Sequence, residues 1–258
     1  MHQETDILEV SDLLLDLAIT LMASGAHTSR VVRNVARAAE SFGYSTDLTV
    51  FQMSVLMTLT RLNDSNVRHT AIRKIKPMAL NFRTISNLSA LTWSAYDNKL
   101  PLEELKEEFN DILNTPRMSR WLVLFLVACA NAAFCRLFMG DIYAMLFVFA
   151  GTLVAFFMRQ EMLHRHINHF VVFITCAFVS SMIAGISYKL NIGTTPDVAL
   201  ATSVLFLIPG VPMINSIIDI LEGHVLAGTS RLINATNLII CIALGLFITL
   251  QLLGVDQL

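Results

Sequence analysis

Charge is scarce in this 258-residue chain: Asp, Glu, Lys and Arg make up 15% of it, against 55% hydrophobic residues. Soluble globular domains carry about 25% charged and about 45–50% apolar residues. The imbalance excludes a disordered chain and an ordinary soluble enzyme. Cysteine is also sparse. Cys129, Cys135, Cys176 and Cys241 form no CxxC pair and all lie in apolar stretches. They read as small hydrophobes in helices, and neither a disulfide framework nor a zinc site is supported. There is no Gly-rich phosphate loop, metal-ligand spacing or nucleophile elbow, so no cofactor and no metal is expected, and direct ATP drive is disfavoured. The first twenty residues hold five acids and no Lys or Arg, unlike the positive start of a cleavable signal peptide. A net charge of −2 with no long basic run argues against nucleic acid as a partner.

The charge that is present is unevenly placed. Residues 1–118 hold 26 charged side chains and residues 119–258 hold 12. The first part reads as a water-soluble domain and the second as a membrane domain. In the first, Ile7, Val10, Leu14, Leu17 and Leu21 form one helical stripe that Gly25 ends, and Val32, Val35, Ala39 and Phe42 form a second. Thr46–Thr60 is rich in strand-favouring residues, Asn63-Asp64 reads as a turn, and Val67–Ile72 returns as a second strand. Helical spacing resumes at Ile85, Leu88 and Leu91, and a last helix runs from Pro101 to Pro116.

Five apolar segments in 119–258 are long enough to span a bilayer, near 121–138, 142–158, 170–188, 198–214 and 232–253. The expected fold class is therefore an α-helical integral membrane protein of about five transmembrane helices with an N-terminal cytoplasmic α+β domain. Threading the spans with the N-terminus inside places 16 Lys and Arg on the cytoplasmic side and 2, Arg136 and Lys189, outside. That distribution predicts a cytoplasmic N-terminus and an outside C-terminus.

The fourth span is interrupted by Pro209-Gly210 and Pro212. Proline removes backbone donors, and freed groups in lipid must be met by protein or by a wet cavity. Such breaks occur at transporter binding sites, and they also occur as plain kinks. Just beyond, Asn215, Asp219 and Glu222 share one helical face, followed by Gly223. At membrane depth these groups would line a pathway or carry a proton; at the membrane surface they would be a solvated acidic face. Two other clusters read more plainly. His164, His166 and His169 suit a solvated loop better than a metal site, and the polar hinge Ser24–Arg30 suits a capping turn better than a hydrolase centre.

Two segments resemble the threonine/serine exporter (ThrE) family. Gly25-Ala26-His27-Thr28-Ser29-Arg30-Val31 is similar to its opening motif, of which Gly25, Ala26 and Arg30 match. Pro209-Gly210-Val211-Pro212 followed by Asn215, Asp219, Gly223 and Gly228 is similar to its Pro-Gly…Asn…Asp…Gly…Gly signature. The resemblance covers nearly the whole chain. Five spans where fused members have about ten make it similar to the split, YjjP-type form. That resemblance implies an inner-membrane secondary exporter subunit, driven by an ion gradient, with a smaller YjjB-type membrane partner. It implies threonine, serine or a dicarboxylate such as succinate as substrate. It also implies a pathway through Pro209, Gly210, Pro212, Asn215, Asp219 and Gly223, with Asn215 contacting substrate and Asp219 coupling substrate or proton; Glu222, on the same helical face, is expected beside them. A membrane-anchored hydrolase with its site in 1–118 and a non-transporting scaffold are the competing readings.

Overall fold

The computed structural model describes residues 6–51, 53–75, 80–116 and 118–254. The chain divides into two compact units, Met1–Pro116 with Val211–Ile233, and Arg117–Gly210 with Asn234–Leu258.

In the first unit, α1 (Ile7–Ala23) starts at Asp6, whose carboxylate accepts the Leu8 N–H at 3.0 Å. α2 (Thr28–Ser41) is strongly amphipathic, with Val31, Val35, Ala38 and Ala39 buried and Arg30 and Arg33 outside. Three antiparallel strands follow in meander order: β1 (Tyr44–Val50), β2 (Ser54–Arg61) and β3 (Asp64–Lys74). The stretch 46–60 thus contains a hairpin rather than one strand. Val50 pairs with Val55, and Phe51 N–H donates to the Ser54 carbonyl at 2.8 Å. The sequence conceals this turn because no Asn-Gly or Asp-Gly pair marks it. Helices α3 (Phe82–Asn98) and α4 (Leu102–Asn114) complete the segment before the membrane-type helices. Alternate residues of β2, Val55, Met57 and Leu59, are fully buried with Leu14 and Leu21 of α1, Val35 of α2 and Leu88 of α3. The strand's period of two and the helices' 3.6 therefore point their apolar sets into one core.

The unit also takes in α9 (Gly210–Leu221) from Val211 and the start of α10 (Val225–Leu253) as far as Ile233. Ala227 of α10 lies in the same core. Gly223 ends α9 with a left-handed φ of +88°, and the next N–H, of His224, reaches back to the Asp219 carbonyl at 2.7 Å. A residue with a Cβ is strained in that conformation.

The second unit holds α5 (Arg120–Leu137), α6 (Ile142–His164), α7 (His169–Lys189), the short α8 (Pro196–Thr202), a 3-10 turn at Leu205–Leu207 and the later part of α10. Among the described residues four helices, α5, α6, α7 and α10, are long and apolar enough to cross a membrane, and the pair broken at Ile208–Pro209 makes up to five. The last helix begins at Val225, ahead of the expected span 232–253, because nothing between Val225 and Arg231 stops α10. Many interior positions are small: Ala128, Ala132, Ala144, Gly151, Ala155, Ala177 and Ala184 are buried beside larger ones such as Leu124 and Phe173, whereas Phe125, Leu137 and Phe247 are more than half exposed. Small residues inside and large apolar ones outside is the arrangement of helices that pack in lipid, where close backbone approach replaces the hydrophobic drive.

Leu14 is fully buried and Leu8 on the same helix is 51% exposed. Leu14→Ala should therefore lower the unfolding free energy by about 2–5 kcal/mol in denaturant titration, with Leu8→Ala within about 0.5 kcal/mol of the parent.

Candidate functional site

The turn between α1 and α2 leaves two helix ends to be satisfied. At the end of α1, Gly25 takes a φ of +93° and Ala26 N–H returns to the Leu21 carbonyl at 3.0 Å. The carbonyls of Gly25 and Ala26 then point out of the turn. At the start of α2 the N-cap position is His27, whose side chain makes no capping hydrogen bond. The free N–H groups of a helix start attract an anion, and the free carbonyls of a helix end attract donors.

Both needs are met from α9 and α10. Asp219 caps α2: its Oδ1 accepts the Thr28 N–H at 2.6 Å and its Oδ2 accepts the Thr28 hydroxyl at 3.0 Å. Arg231 Nη1 lies 3.2 Å from the same Oδ2 and also donates to the Ala26 carbonyl at 3.1 Å. Asn215 Nδ2 donates to the Gly25 carbonyl at 2.7 Å. Asp219 has no solvent exposure, and the Arg231 side chain is mostly buried. A buried carboxylate is tolerated only when donors surround it, and here three converge on it.

Beside this cluster, Glu222 lies 3.5 Å from His27 Nδ1 and 3.8 Å from Arg33 Nη1. The Ser29 hydroxyl hydrogen bond, then His27 and Arg33, hold the Glu222 carboxyl below its usual range against a smaller opposing effect of burial. Burial pushes the His27 imidazole below its ordinary 6.5, aided by Arg30 and Arg33 and opposed by Glu222 and Asp219.

The expected residues therefore fall into three groups. Asn215, Asp219, Gly25 and Ala26 meet at one turn; Glu222 and Gly223 sit at its edge, just past α9. Pro212 lies in the first turn of α9, where proline is tolerated. Pro209 and Gly210 stand at the break itself, and Arg30 faces outward on α2 away from Asp219's contacts. Thr28 and Arg231 were not singled out by the sequence. Thr28 was hidden inside a motif read as a cap for its own helix, and Arg231 counted only as an orienting charge. Among the described residues no group of three or more His, Cys, Asp or Glu side chains is placed to hold a metal ion.

The second unit has polar contacts of its own in mid-helix positions. Asn131 of α5 donates to Thr152 Oγ1 of α6 at 2.7 Å and reaches the Ser203 carbonyl at 3.4 Å; Ser180 of α7 donates to that carbonyl at 2.7 Å. All four residues are buried, and Asn131 Oδ1 has no hydrogen-bond partner among the described residues. Isolated Ser, Thr and Asn in apolar runs break no periodicity, so only their presence in a span could have flagged them. Arg159 belongs to α6 rather than to the loop after it, with its guanidinium 5.2 Å from the Phe173 ring and 5.6 Å from that of Phe156. Among the described residues no carboxylate lies within ion-pair distance of it.

Comparison with known proteins adds a lineage. A family model described as "Putative threonine/serine exporter" matches residues 12–253. The chain is 27% identical over 246 residues to "Probable succinate transporter subunit YjjP" of Klebsiella aerogenes, covering 95% of this chain and 94% of that one. It is 26% identical over 246 residues to the protein of the same name in Escherichia coli K12, covering 95% of each. It is 21% identical over 255 residues to "Probable threonine/serine exporter" of Mycobacterium tuberculosis, covering 94% of this chain and 46% of that one. No solved structure matches.

The two shifts beside the turn act together on stability. The folded unit favours neutral His27 and ionised Glu222. Stability is therefore complete above His27's ordinary 6.5 and falls below it, because the unfolded chain takes up that proton first. It falls again as pH drops through Glu222's depressed value, below the ordinary 4.5. In thermal unfolding of the full chain, His27→Gln should remove the decline that sets in below His27's ordinary 6.5 and leave the more acidic one.

Proposed function

The chain belongs to the threonine/serine exporter family, and on that premise we propose that it is one subunit of an inner-membrane secondary exporter for small polar metabolites. The substrate is a threonine- or serine-type amino acid or a dicarboxylate such as succinate. It works with a second, smaller membrane subunit of the YjjB type; the word "subunit" in the names of two relatives supports a partner. The Lys and Arg distribution supports a cytoplasmic N-terminus and an outside C-terminus.

The observation that carries the reading is the buried Asp219–Arg231 pair at the turn of Gly25, Ala26 and Thr28. Removing either partner alone strands a charge, but a ligand that brings the matching charge can replace it. An amino acid offers an ammonium to Asp219 and a carboxylate to Arg231; a proton can substitute for the cation. Asp219 is thus the coupling group, Asn215 a substrate contact, and Glu222 the acid at the edge. Pro209, Gly210 and Pro212 supply the break at which such helices reorganise, and Gly223 the turn after α9. Arg159, a cation without a carboxylate partner among the described residues, favours the dicarboxylate over the amino acid.

Transport in inverted vesicles from cells making both subunits tests this. Asp219→Asn, at normal expression, should reduce pH-coupled uptake of the substrate at least about tenfold, the equivalent of about 1.4 kcal/mol. Full coupled transport by that variant would sink the pathway role and leave a structural clamp. Arg159→Gln should lower succinate transport more than threonine transport; equal effects would remove the preference for a dicarboxylate.

A further inference from the structure

A groove of about 320 Å³ opens between α2 and α3 in the first unit. Its α2 wall carries Arg30, Arg33 and Arg37, spaced i, i+3 and i+7 along one face. Its α3 wall carries Ser86, Ser89 and Trp93. Like charges at this spacing repel one another, and little on the protein offsets them. Glu222 approaches Arg33 at 3.8 Å but is shared with His27, and Asp97 acts on Arg37 only at a distance. Arg30 has no carboxylate within ion-pair distance among the described residues.

Arg37 is not a freely solvated side chain. Its Nη1 donates to Asn34 Oδ1 at 3.0 Å and to Thr92 Oγ1 at 3.1 Å, and its guanidinium lies 3.5 Å over the Trp93 ring. Asn34 and Thr92 are buried and 2.9 Å apart, and Asn34 also donates to Ser89 Oγ at 3.1 Å. A buried polar network thus fixes the plane of one guanidinium at the groove. Among the described residues only Nη1 has hydrogen-bond partners; the Nε–H and Nη2–H donors remain, the edge that grips a carboxylate or phosphate in bidentate fashion. The volume is at the small end of ligand pockets, which run from about 300 to about 1,000 Å³.

We propose that this groove is a binding site for a small oxyanion bearing carboxylate or phosphate groups, gripped by Arg37 and neutralised by Arg30 and Arg33. The site does not rest on the exporter reading, since binding here stands whether or not the chain transports anything.

Trp93 reports on it directly. The chain has two tryptophans, so Trp121→Phe leaves Trp93 as the sole tryptophan in the full-length protein. Succinate, inorganic phosphate, and vesicles of phosphatidylglycerol or of phosphatidylcholine are titrated separately. A saturable change with succinate assigns a dicarboxylate, with phosphate a phosphoryl group, and with phosphatidylglycerol but not phosphatidylcholine a lipid headgroup. Each supports the site provided that Arg30→Gln weakens it at least about fivefold, and Arg37→Gln at least about tenfold. Arg30 is exposed and has no ion-pair partner among the described residues, so its substitution leaves the fold intact. If Trp121→Phe does not fold, calorimetric titration of the parent and Arg30→Gln chains replaces fluorescence. No saturable response to any of the anions, or a response indifferent to Arg30→Gln, overturns the proposal.

Discussion

A carboxylate without access to water must be surrounded by donors, and Asp219 meets that requirement at a helix start. The α1–α2 turn and the α9–α10 segment are some 190 residues apart in sequence, yet each completes the other. α2 begins without a side-chain cap of its own; Asp219 supplies it. α1 ends with two carbonyls directed outward; Asn215 and Arg231 receive them. Positive and negative helix ends are thereby matched by groups of opposite sign. Loss of any member leaves a buried polar atom unpaired, which is why the cluster behaves as one object rather than as separate contacts.

The second unit solves the same problem with neutral groups. Its helices come close through alanine and glycine, and the Asn131 amide N–H and the Thr152 and Ser180 hydroxyls are spent on each other and on the Ser203 carbonyl, where regular helix has ended. An interrupted helix frees carbonyls, and hydroxyls on neighbouring helices are the side chains small enough to reach them. Arg159 is the exception, a cation resting on aromatic rings. Polar groups within this apolar helical body are few and specifically placed.

Arginine serves three different ends in the first unit. Arg231 neutralises a buried acid, Arg73 bridges β3 to Asp12 and Asp16 of α1 at the surface, and Arg37 is held flat on Trp93 by a buried amide and hydroxyl. The surface bridges add at most about 1 kcal/mol each. The other two settings are the ones in which the planar, permanently charged guanidinium does what lysine cannot.

Much of the architecture was legible in the chain. The scarcity of charge after residue 118, the apolar runs and the proline interruption are one-dimensional properties, and so they determined the membrane helices and the break at Pro209. The apolar stripe of α1 likewise announced its buried face, whereas that of α2 caught Val35 and Ala39 but not Val31 and Ala38. The family, too, was readable from two short motifs. The hairpin at residues 50–55 was not, because its turn lacks the usual residues and is held by pairing. Nor could the sequence tell that Asp219 caps α2, that Arg231 is its counter-ion rather than a loop charge, or that Arg37 stands on Trp93. Each of those depends on which polar atoms become neighbours once water is excluded. That is a property of three-dimensional packing, and only the tertiary structure decides it.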